Sequence, residues 1–520
     1  MEEKRVRYPI GEQSFERLRR DGFLYVDKTE YIEKIVGGSK YFFLGRPRRF
    51  GKSLFLSTLK CFYEGKRELF KDLYIDTVDW NWEVYPVLYL DLNTSKYKKD
   101  GDLEDVLDRQ LRKWEKEYDV DVKDKAHAQR FATIIETVSK RTGKEVVILV
   151  DEYDKPLVTN LHHPKRFEEY RDALADLYSN FKSAADYIKL VFLTGVTRFA
   201  KLSVFSGLNN ISDISFVDKF AGICGITESE LKSYFIPGIK ELSVKYKRSF
   251  EEEIQELKRN YDGYHFSEDC PDIYNPYSLL QVMDYSKYSN YWISSGTPTI
   301  LVEQLQKIDA DLEELLTIRA SQNMLEGLDM DSPRPIALLY QTGYLTIKKF
   351  DERRRLYHLG IPNEEVKQGF FEFLLPYYTS LAEERVAPFI FDLIDEIESG
   401  DVDAFMKRLQ SLFAGYGHDL KFDEERNVQN AMLLIFSLVG MHVDAEVRNS
   451  DGRIDILVRT REYVYIMELK YDKSSEEALA QIERKEYALP WGIDSRSVIA
   501  IGINYSSVKR RIDGWSEKRL

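Results

Sequence analysis

Gly51, Lys52 and Ser53 form the triplet with the clearest chemical meaning in the sequence, because they directly follow a short apolar run and a loop. Free backbone N–H groups at a helix start, a lysine and a hydroxyl together suit a polyphosphate and its Mg²⁺. Lys52 would face the β/γ-phosphates, and Ser53 would hold the metal. The usual phosphate-binding motif has glycine at position 46, whereas this chain has Arg46 there and Gly45 before it. A Gly-Lys-Ser triplet by itself also arises by chance.

A second acidic element follows about a hundred residues later, where the apolar run 146–150 ends in Asp151 and Glu152. The carboxyl ends of strands in an open α/β sheet are where ligands bind. Asp151 would hold Mg²⁺, usually through water, and Glu152 would orient or deprotonate the attacking water. The alternative is a strand that ends in a solvated acidic turn. The order and spacing of the two elements favour the nucleotide site.

A third strand-like run, 188–193, ends in polar residues that can sense the terminal phosphate. Thr194, Thr197 and Arg198 are the candidates, and an ordinary strand-end turn explains them equally well. Arg49, in the loop before Gly51, is a further candidate ligand of the nucleotide.

Residues 452–470 predict a β-hairpin with chemistry of its own. If its turn is centred on residues 461 and 462, Asp455 lies directly opposite Glu468, and the two-residue period puts Lys470 on the same face. Two carboxylates can bind Mg²⁺ as metal ligands, and Lys470 can stabilise a phosphate or help activate water. A simple ion-pair cluster is the alternative. Their neighbours on that face are Leu457, Val464 and Ile466.

The elements around these residues predict an α/β protein. In the first 230 residues, strand-like runs at 41–44, 87–92, 146–150 and 188–193 alternate with amphipathic segments, which indicates a parallel sheet with helices on both faces. The middle is mainly helical, with a strand-like piece at 344–348 that suggests a wing or hairpin, and a small α/β unit follows. We therefore predict four segments: a P-loop ATPase core (1–230), a helical lid or winged-helix-like region (231–375), a helical linker (376–422) and a nuclease-like domain (423–520).

Composition sets limits on function. The 520 residues are 43% hydrophobic and 31% charged, as in ordinary globular proteins, and three scattered cysteines argue against a disulfide framework or structural zinc. No apolar stretch is long enough for a membrane helix, so we expect a cytoplasmic protein without membrane contact. The net charge of −13 means that nucleic acid would be bound through local basic patches. Oligomerisation is left open.

Residues 8 to about 280 resemble the AAA-ATPase-like domain common in bacterial proteins. The resemblance rests on YPIGEQSFERLRRDGFLYVDKTEYI, RPRRFGKS, ILVDEYDKPL, LTGVTRFAK, YDGYHF and YNPYSLL. Members of that family show Pro-Arg-Arg-Phe-Gly-Lys-Ser/Thr, which residues 47–53 of this chain match directly after Arg46. The resemblance implies the ATPase fold, ATP and Mg²⁺ as cofactors, and the roles given above to Lys52, Ser53, Asp151 and Glu152. It also suggests that residues 25–29 lie near the nucleotide.

The C-terminal stretch resembles the PD-(D/E)XK nuclease superfamily through GRIDILV, YIMELKY, EEALAQIERKEYA and IAIGINY. The resemblance implies that Asp455 and Glu468 are metal ligands and that Lys470 is catalytic, with Gln481 in support. Glu446 is a weaker candidate. A third metal ligand in this superfamily often comes from an acidic residue on the first helix, where this chain offers only Glu424 or Glu425, so the third ligand is left open.

Three hypotheses follow. In the first, the protein couples ATP binding and hydrolysis to a Mg²⁺-dependent nuclease-like domain that acts on nucleic acid, with DNA favoured over RNA. In the second, it is a nucleotide-dependent regulatory or defence switch whose C-terminal domain binds nucleic acid or a protein without cleaving. The third is a nucleotide-binding scaffold with two degenerate sites.

Overall fold

In the computed structural model, the described residues are 6–122, 126–198, 211–295, 305, 311–327, 335–414, 424–450, 453–491 and 495–520. The chain divides into two compact units. Unit 1 comprises Met1–Trp292 and Arg319–Asn363, and unit 2 comprises Ile293–Ile318 and Glu364–Leu520. The four segments predicted from the sequence remain a prediction, since the two units are defined by compactness alone.

The strands run through both units. In chain order they are β1 (Tyr41–Gly45), β2 (Val87–Asp91), β3 (Val146–Asp151), β4 (Ile188–Gly195), β5 (Ser212–Asp213), β6 (Ile226–Thr227), β7 (Ile273–Tyr274), β8 (Arg319–Ala320), β9 (Thr346–Asp351), β10 (Leu356–Gly360), β11 (Asp444–Ser450), β12 (Arg453–Arg459), β13 (Tyr463–Tyr471), β14 (Ser497–Ser506) and β15 (Arg511–Arg519).

The α-helices with described ends lie in both units. In chain order they are α1 (Phe15–Arg20), α2 (Glu30–Val36), α3 (Lys52–Tyr63), α4 (Tyr74–Thr77), α5 (Asp102–Glu117), α6 (His127–Thr142), α7 (Lys155–Thr159), α8 (Pro164–Ser183), α9 (Glu228–Tyr234), α10 (Ile236–Tyr246), α11 (Phe250–Tyr261), α12 (Pro276–Tyr285), α13 (Tyr291–Ser294), α14 (Leu312–Leu316), α15 (Gln322–Glu326), α16 (Pro335–Thr342), α17 (Glu364–Tyr378), α18 (Val386–Ser399), α19 (Val402–Ala414), α20 (Glu424–Val439) and α21 (Ser475–Arg484).

A five-stranded parallel sheet is the core of unit 1, with the strand order β2-β3-β4-β1-β5. Every residue of β3 is buried, as its unbroken apolar run predicts for a central strand covered on both faces. The α/β fold class and the four strands expected from the sequence are confirmed. Because the strands are parallel, the carboxyl ends of β1, β3 and β4 meet at one edge.

The helices after β5 begin with the capping box expected from the sequence. The Thr227 hydroxyl accepts the Glu230 N–H, and the Glu230 carboxylate accepts the Thr227 N–H, which satisfies the first turn of α9. Further along the chain, β9 and β10 form the hairpin expected near 344–348, and β8 pairs with β10 to make a three-stranded sheet.

Unit 2 carries the small C-terminal α/β domain. Its sheet has the order β11-β12-β13-β14-β15, in which only the β13–β14 pair is parallel. A parallel pair needs a crossover, and α21 supplies it. The helix–hairpin–helix–strand order expected after residue 423 is present, with β11 and β15 as additional edge strands.

No described helix is both long enough and apolar enough to cross a lipid bilayer.

Candidate nucleotide site and candidate nuclease site

The phosphate loop connects β1 to α3. Gly51 is the N-cap residue of α3 and has φ of 97°, a left-handed backbone conformation that glycine adopts without strain. Arg49, two residues earlier, also has a positive φ of 67°. This path turns the chain sharply into the helix, so that the N–H groups of its first turn face outward at the carboxyl edge of the sheet.

Lys52 is the first residue of α3, and its side chain is buried, with 3% exposure. Its Nζ donates to the carbonyl oxygens of Arg46 at 3.1 Å and Pro47 at 3.2 Å. It also lies 3.2 Å from Oε1 of Glu152. The ammonium is therefore held inside the curl of the loop, beside the acid that follows β3.

Asp151 is the last residue of β3, and its carboxylate meets the start of α3. It accepts hydrogen bonds from Thr194 at 2.7 Å and Tyr89 at 3.2 Å, and the Ser53 hydroxyl lies close enough to lower its pKa. Burial raises the pKa of the Asp151 carboxyl, while Ser53 and Thr194 oppose that rise. Ser53 and Asp151, predicted as metal ligands, are thus brought together.

Glu152 continues from β3 with φ of 54°, which turns its side chain away from the strand and toward Lys52. Its backbone N–H donates to the Thr194 hydroxyl at 3.4 Å. Thr194 therefore bridges two successive acidic residues, and the polar end of β4 positions the end of β3.

Asp154 is a site residue that the sequence reasoning missed. Its carboxylate is buried and accepts from the N–H groups of Val196 at 3.1 Å and Thr197 at 2.6 Å, and from the Thr197 hydroxyl at 2.6 Å. Burial, followed by the charge of Glu152, raises its pKa to about 6. The available signal was the third acid in Asp-Glu-Tyr-Asp. Thr197, predicted to contact nucleotide, is held by this acid.

Asp91 was also missed. It ends β2 and lies directly opposite Asp151 in the parallel register, so two carboxylates end neighbouring strands. Burial raises the pKa of Asp91, and the charges of Asp151 and Glu152 add to that rise.

Two predicted nucleotide ligands have protein partners. The Arg198 guanidinium lies 2.9 Å from Asp213 and 2.9 Å from Glu326. The Arg49 guanidinium lies over the ring of Tyr277, 4.8 Å from its centroid. Arg198 follows β4, the strand paired with β1, and Arg49 lies within the phosphate loop. Both guanidinium groups are thus near the site, but they contact other side chains of the protein. Their roles toward a nucleotide remain predictions.

Arg46, which stands where the usual motif has glycine, has a structural explanation. Its guanidinium is buried and donates to the carbonyl oxygens of Gly45 at 2.9 Å and Ser215 at 2.8 Å, with longer bonds of 3.4 and 3.5 Å to Phe220 and Ala221. The ring of Phe266 covers it at 4.1 Å. Arg46 therefore ties the phosphate loop to a distant segment of unit 1.

A pocket with a cavity volume of about 90 Å³ lies beside Gly51. Its walls are mostly apolar and include Tyr25, Val26 and Lys28, from the segment that the family resemblance places near the nucleotide. Lys28 forms an ion pair with Glu230 at 2.6 Å.

In unit 2, the predicted hairpin register is confirmed. β12 and β13 are antiparallel, and Asp455 is paired directly with Glu468. The turn between them is closed by the Thr460 N–H, which donates to the Tyr463 carbonyl at 2.8 Å. Val464 and Ile466, which were expected to share a face with Glu468 and Lys470, pack against Ile482 of α21. This face of the sheet is therefore the one that α21 covers.

Lys470 and Gln481 meet on this face. Lys470 Nζ donates to Gln481 Oε1 at 2.7 Å, lies 4.0 Å from Glu468 Oε1 and lies 3.7 Å from Glu477. Glu468 is fully buried, and Lys470 and Gln481 are each 7% exposed. A buried carboxylate and a buried ammonium are thus fixed together, with α21 supplying the amide that orients the lysine.

Gly502 explains how α21 comes so close to the sheet. It lies beside Glu468 in the β13–β14 register, and a Cβ there would be 2.1 Å from the Ser475 carbonyl oxygen. Only glycine allows this approach, which places Gln481 within reach of Lys470.

Asp455 and Glu468 fit a hard divalent cation by their donor chemistry, since facing carboxylates are the ligands Mg²⁺ prefers. Among the described residues, no group of three His, Cys, Asp or Glu side chains has metal-site geometry. Glu446 lies 2.6 Å from Arg459, which engages it in an ion pair. The Glu424 side chain, one option for a third ligand, lies outside what the structure describes.

Comparison with known proteins agrees with both domains. Residues 9–205 match the family described as predicted AAA-ATPase, and residues 423–515 match the PD-(D/E)XK nuclease superfamily. A protein of Azotobacter chroococcum mcd 1, described as an uncharacterized protein in the vnfD 5′ region, is 31% identical over 527 residues, which cover 99% of each chain. The chain therefore belongs to the AAA-ATPase-like family and carries a C-terminal domain of the PD-(D/E)XK nuclease superfamily.

Proposed function

We propose that this protein binds and hydrolyses ATP and couples it to a Mg²⁺-dependent nuclease-like domain that acts on nucleic acid, with DNA favoured over RNA. The observation that carries the proposal is the meeting of Lys52 and Ser53 with Asp151 and Glu152, from segments about a hundred residues apart. Two segments distant in the chain thus present a cation, a hydroxyl and two acids at one sheet edge.

The contacts of Lys52 suggest how binding and hydrolysis are linked. Its ammonium is shared between two loop carbonyls and Glu152. The terminal phosphate of ATP would compete with Glu152 for this ammonium. Glu152 released in this way becomes free to accept a proton from the attacking water.

Ser53 and Asp151 would hold Mg²⁺ with the nucleotide, where the cation neutralises charge that develops on the phosphates. Asp154 would keep Thr197 at a fixed position beside the terminal phosphate through its bonds to the Thr197 N–H and hydroxyl. The apolar pocket beside Gly51 would take the base, and the N–H groups of the first turn of α3 would bind the phosphates.

Phosphate release from ATP by the full-length protein tests the first activity. Glu152→Gln should retain ATP binding and lose hydrolysis by about a hundredfold or more, in the range that removal of a catalytic base produces. Lys52→Ala should lose both. Glu145→Gln is a matched control, because Glu145 precedes the same strand and its side chain is 40% exposed. Hydrolysis by Glu152→Gln equal to that of Glu145→Gln would refute the assignment.

In the nuclease-like domain, Asp455 and Glu468 would hold Mg²⁺ and Lys470 would stabilise the phosphate or help activate water. Single- and double-stranded DNA and RNA oligonucleotides, with Mg²⁺ or Mn²⁺ and with or without ATP, test this activity. Lys470→Ala should abolish cleavage, whereas Lys473→Ala should not, since Lys473 is 56% exposed three residues away. Cleavage that survives Lys470→Ala would refute the role.

A second candidate is a nucleotide-dependent regulatory or defence switch whose C-terminal domain binds nucleic acid or a protein without cutting. The ion pair of Glu446 with Arg459 favours this candidate, because it engages a carboxylate of the same sheet that would otherwise be a candidate metal ligand. The two candidates differ in one result. The switch predicts ATP-dependent retention of an oligonucleotide or protein partner, with no cleavage under any metal condition.

A further inference from the structure

A short hairpin in unit 1 brings a cysteine, a histidine and an aspartate together. Tyr264 and Ile273 exchange backbone hydrogen bonds of 3.3 and 2.8 Å, which closes a loop over residues 265–272. His265 and Asp272 stand at the two ends of this loop, and Cys270 lies between them in sequence. None of these three residues takes part in the ATPase or nuclease chemistry proposed above.

The three side chains form a connected chain of contacts. His265 Nδ1 lies 3.1 Å from Asp272 Oδ1, and the Cys270 thiol donates to the Ser267 carbonyl at 3.8 Å. The imidazole and the Cys270 thiol are close enough for each to shift the pKa of the other. The backbone around His265 is fixed, because its N–H donates to the Thr346 hydroxyl at 2.7 Å and its carbonyl accepts from the same hydroxyl at 3.2 Å. The order carboxylate, imidazole, thiol is the arrangement that activates a cysteine nucleophile.

The electrostatics of the cluster favour a thiolate–imidazolium pair. The bond to Asp272, followed by the nearby Cys270 thiol, raises the pKa of His265 to about 10. Burial raises the pKa of the Cys270 thiol, but its polar neighbours, His265 first, outweigh burial and leave the pKa below the ordinary value. The other charged or titratable groups facing the cluster are Lys258, Asp262 and Lys348 around Asp272, and Arg46 and Tyr340 around Cys270.

The other two cysteines provide an internal comparison. Burial raises the pKa of Cys61 to about 11 and also raises that of Cys224. Cys61 and Cys224 are each 3% exposed, whereas Cys270 is 8% exposed. Cys270 is therefore set apart from both by its hydrogen bonds and by its greater access to a small reagent.

We propose that Cys270 is a reactive, oxidation-sensitive thiol, activated by His265 and oriented through Asp272, and that a hydroperoxide is its reagent. The Cys270 thiolate attacks one peroxide oxygen, so that an S–O bond forms as the O–O bond breaks. The leaving group, hydroxide from hydrogen peroxide or alkoxide from an organic hydroperoxide, takes the proton of the His265 imidazolium and departs as water or an alcohol. Sulfur loses two electrons, which the peroxide accepts, and the product is a sulfenic acid.

The position of Phe266 connects this thiol to the phosphate loop. Phe266 is the neighbour of His265 in the same hairpin; its ring covers the Arg46 guanidinium at 4.1 Å and lies 5.5 Å from the ring of Phe50. Oxygen added at Cys270 would disturb the bonds of His265 and so the hairpin that presents Phe266. Oxidation is therefore expected to weaken nucleotide binding, a consequence that rests on the function proposed above.

Alkylation of the full-length protein with iodoacetamide, read out peptide by peptide by mass spectrometry between pH 6 and 9, tests the thiol. At pH 7 a pKa of about 11 leaves about one thiol in 10,000 ionised at Cys61, whereas the pKa of Cys270 lies below its ordinary value and leaves a much larger share ionised. The lower intrinsic nucleophilicity of a less basic thiolate removes part of that difference. Cys270 should thus react about tenfold or more faster than Cys61.

Two variants separate activation from simple exposure. His265→Gln should move the alkylation of Cys270 to higher pH and slow it several-fold at pH 7, whereas His358→Gln, a half-buried histidine on β10, should leave it unchanged. Hydrogen peroxide followed by dimedone should label Cys270 and neither of the other cysteines. Equal labelling of all three, or an unchanged rate in folded His265→Gln, overturns the proposal.

The link to the phosphate loop has a separate readout. Binding of a fluorescent ATP analogue should weaken several-fold after peroxide treatment and recover with dithiothreitol, and Cys270→Ser should not respond to peroxide. Selective oxidation without an effect on binding would overturn the link. Failure of the untreated protein to bind the analogue would count against the proposed function, and the alkylation rates would still decide the reactivity of Cys270.

Discussion

Replacing Arg46 with glycine restores the residue that the usual phosphate-binding motif has at this position, and the structure predicts that this change damages the loop. The arginine is 2% exposed and reaches four backbone carbonyl groups. A glycine leaves those carbonyls without their partner, leaves the ring of Phe266 uncovered, and adds backbone freedom in the loop. The variant should therefore bind ATP much more weakly.

The magnitude follows from the individual contacts. The two short bonds, at 2.8 and 2.9 Å, are charge-assisted and contribute about 1.5–3 kcal/mol each, whereas the bonds at 3.4 and 3.5 Å contribute little. The cation–π contact with Phe266 adds about 1–2 kcal/mol. The cost of burying the guanidinium offsets part of this sum, so we expect a net loss of about 3–5 kcal/mol.

Amide hydrogen exchange measures this loss locally, without assuming that both units unfold together. One reporter is the backbone amide of residue 46, present in both the parent chain and the variant, which donates to the Gly195 carbonyl at 3.2 Å. The other is the Gly225 amide, which donates to the Phe50 carbonyl at 3.0 Å. A loss of about 3–5 kcal/mol accelerates exchange by between about a hundredfold and several thousandfold.

Arg48→Gly is the control, since it introduces glycine into the same loop at an exposed side chain. Exchange in Arg46→Gly within about threefold of Arg48→Gly, with unchanged ATP affinity, would refute the structural role of Arg46.

Three further predictions concern the two sites. Asp154 has a pKa of about 6 in the folded protein, above its ordinary 3.8, so the folded state binds this proton more readily than the unfolded state. Its contribution to the free energy of unfolding therefore rises as pH falls from about 6 to about 4. Protonation also weakens the hold of Asp154 on Thr197, so ATP turnover should fall below about pH 6, and Asp154→Asn should remove that pH dependence. Gly502→Ala should lower stability by about 1–3 kcal/mol in thermal unfolding, while Gly514→Ala, where a Cβ meets nothing within 4 Å, should not; equal melting temperatures would contradict the close approach of α21. Gln481→Ala should reduce any Mg²⁺-dependent cleavage by about 10- to 100-fold, as expected for a residue that orients a catalytic group, and an unchanged cleavage rate would exclude that role.

Sequence reasoning succeeded where local periodicity and sheet geometry determine the outcome. Asp455 faces Glu468 because a hairpin centred on residues 461 and 462 leaves no other pairing in register. Ser53 and Asp151 meet because parallel strands bring their carboxyl ends to one edge. The two-residue period of a strand predicted the first pair, and the common direction of parallel strands predicted the second.

It failed where a role depends on contacts between distant segments. Arg46 donates to carbonyl groups about 170 residues away in the chain, and the aromatic ring that covers it is farther away still. The sequence around Arg46 contains no pattern that indicates these contacts. Asp154 requires knowledge of how the end of β4 turns back onto β3. The acidic partners of Arg198 come from β5 and α15, and no local pattern in the sequence indicates them; the role of Arg198 toward a nucleotide stays a prediction.

The distant supports of the phosphate loop also affect the order in which the protein can mature. Ser215, Phe266 and Trp292, whose indole donates to the Arg48 carbonyl at 3.0 Å, all follow the loop in the chain by well over a hundred residues. A nascent chain leaving the ribosome would therefore carry the complete Gly-Lys-Ser sequence long before the loop acquires its supports. We expect ATP to stabilise the growing chain only after residue 292 has emerged, and a fragment that ends at residue 205 to be unable to retain nucleotide.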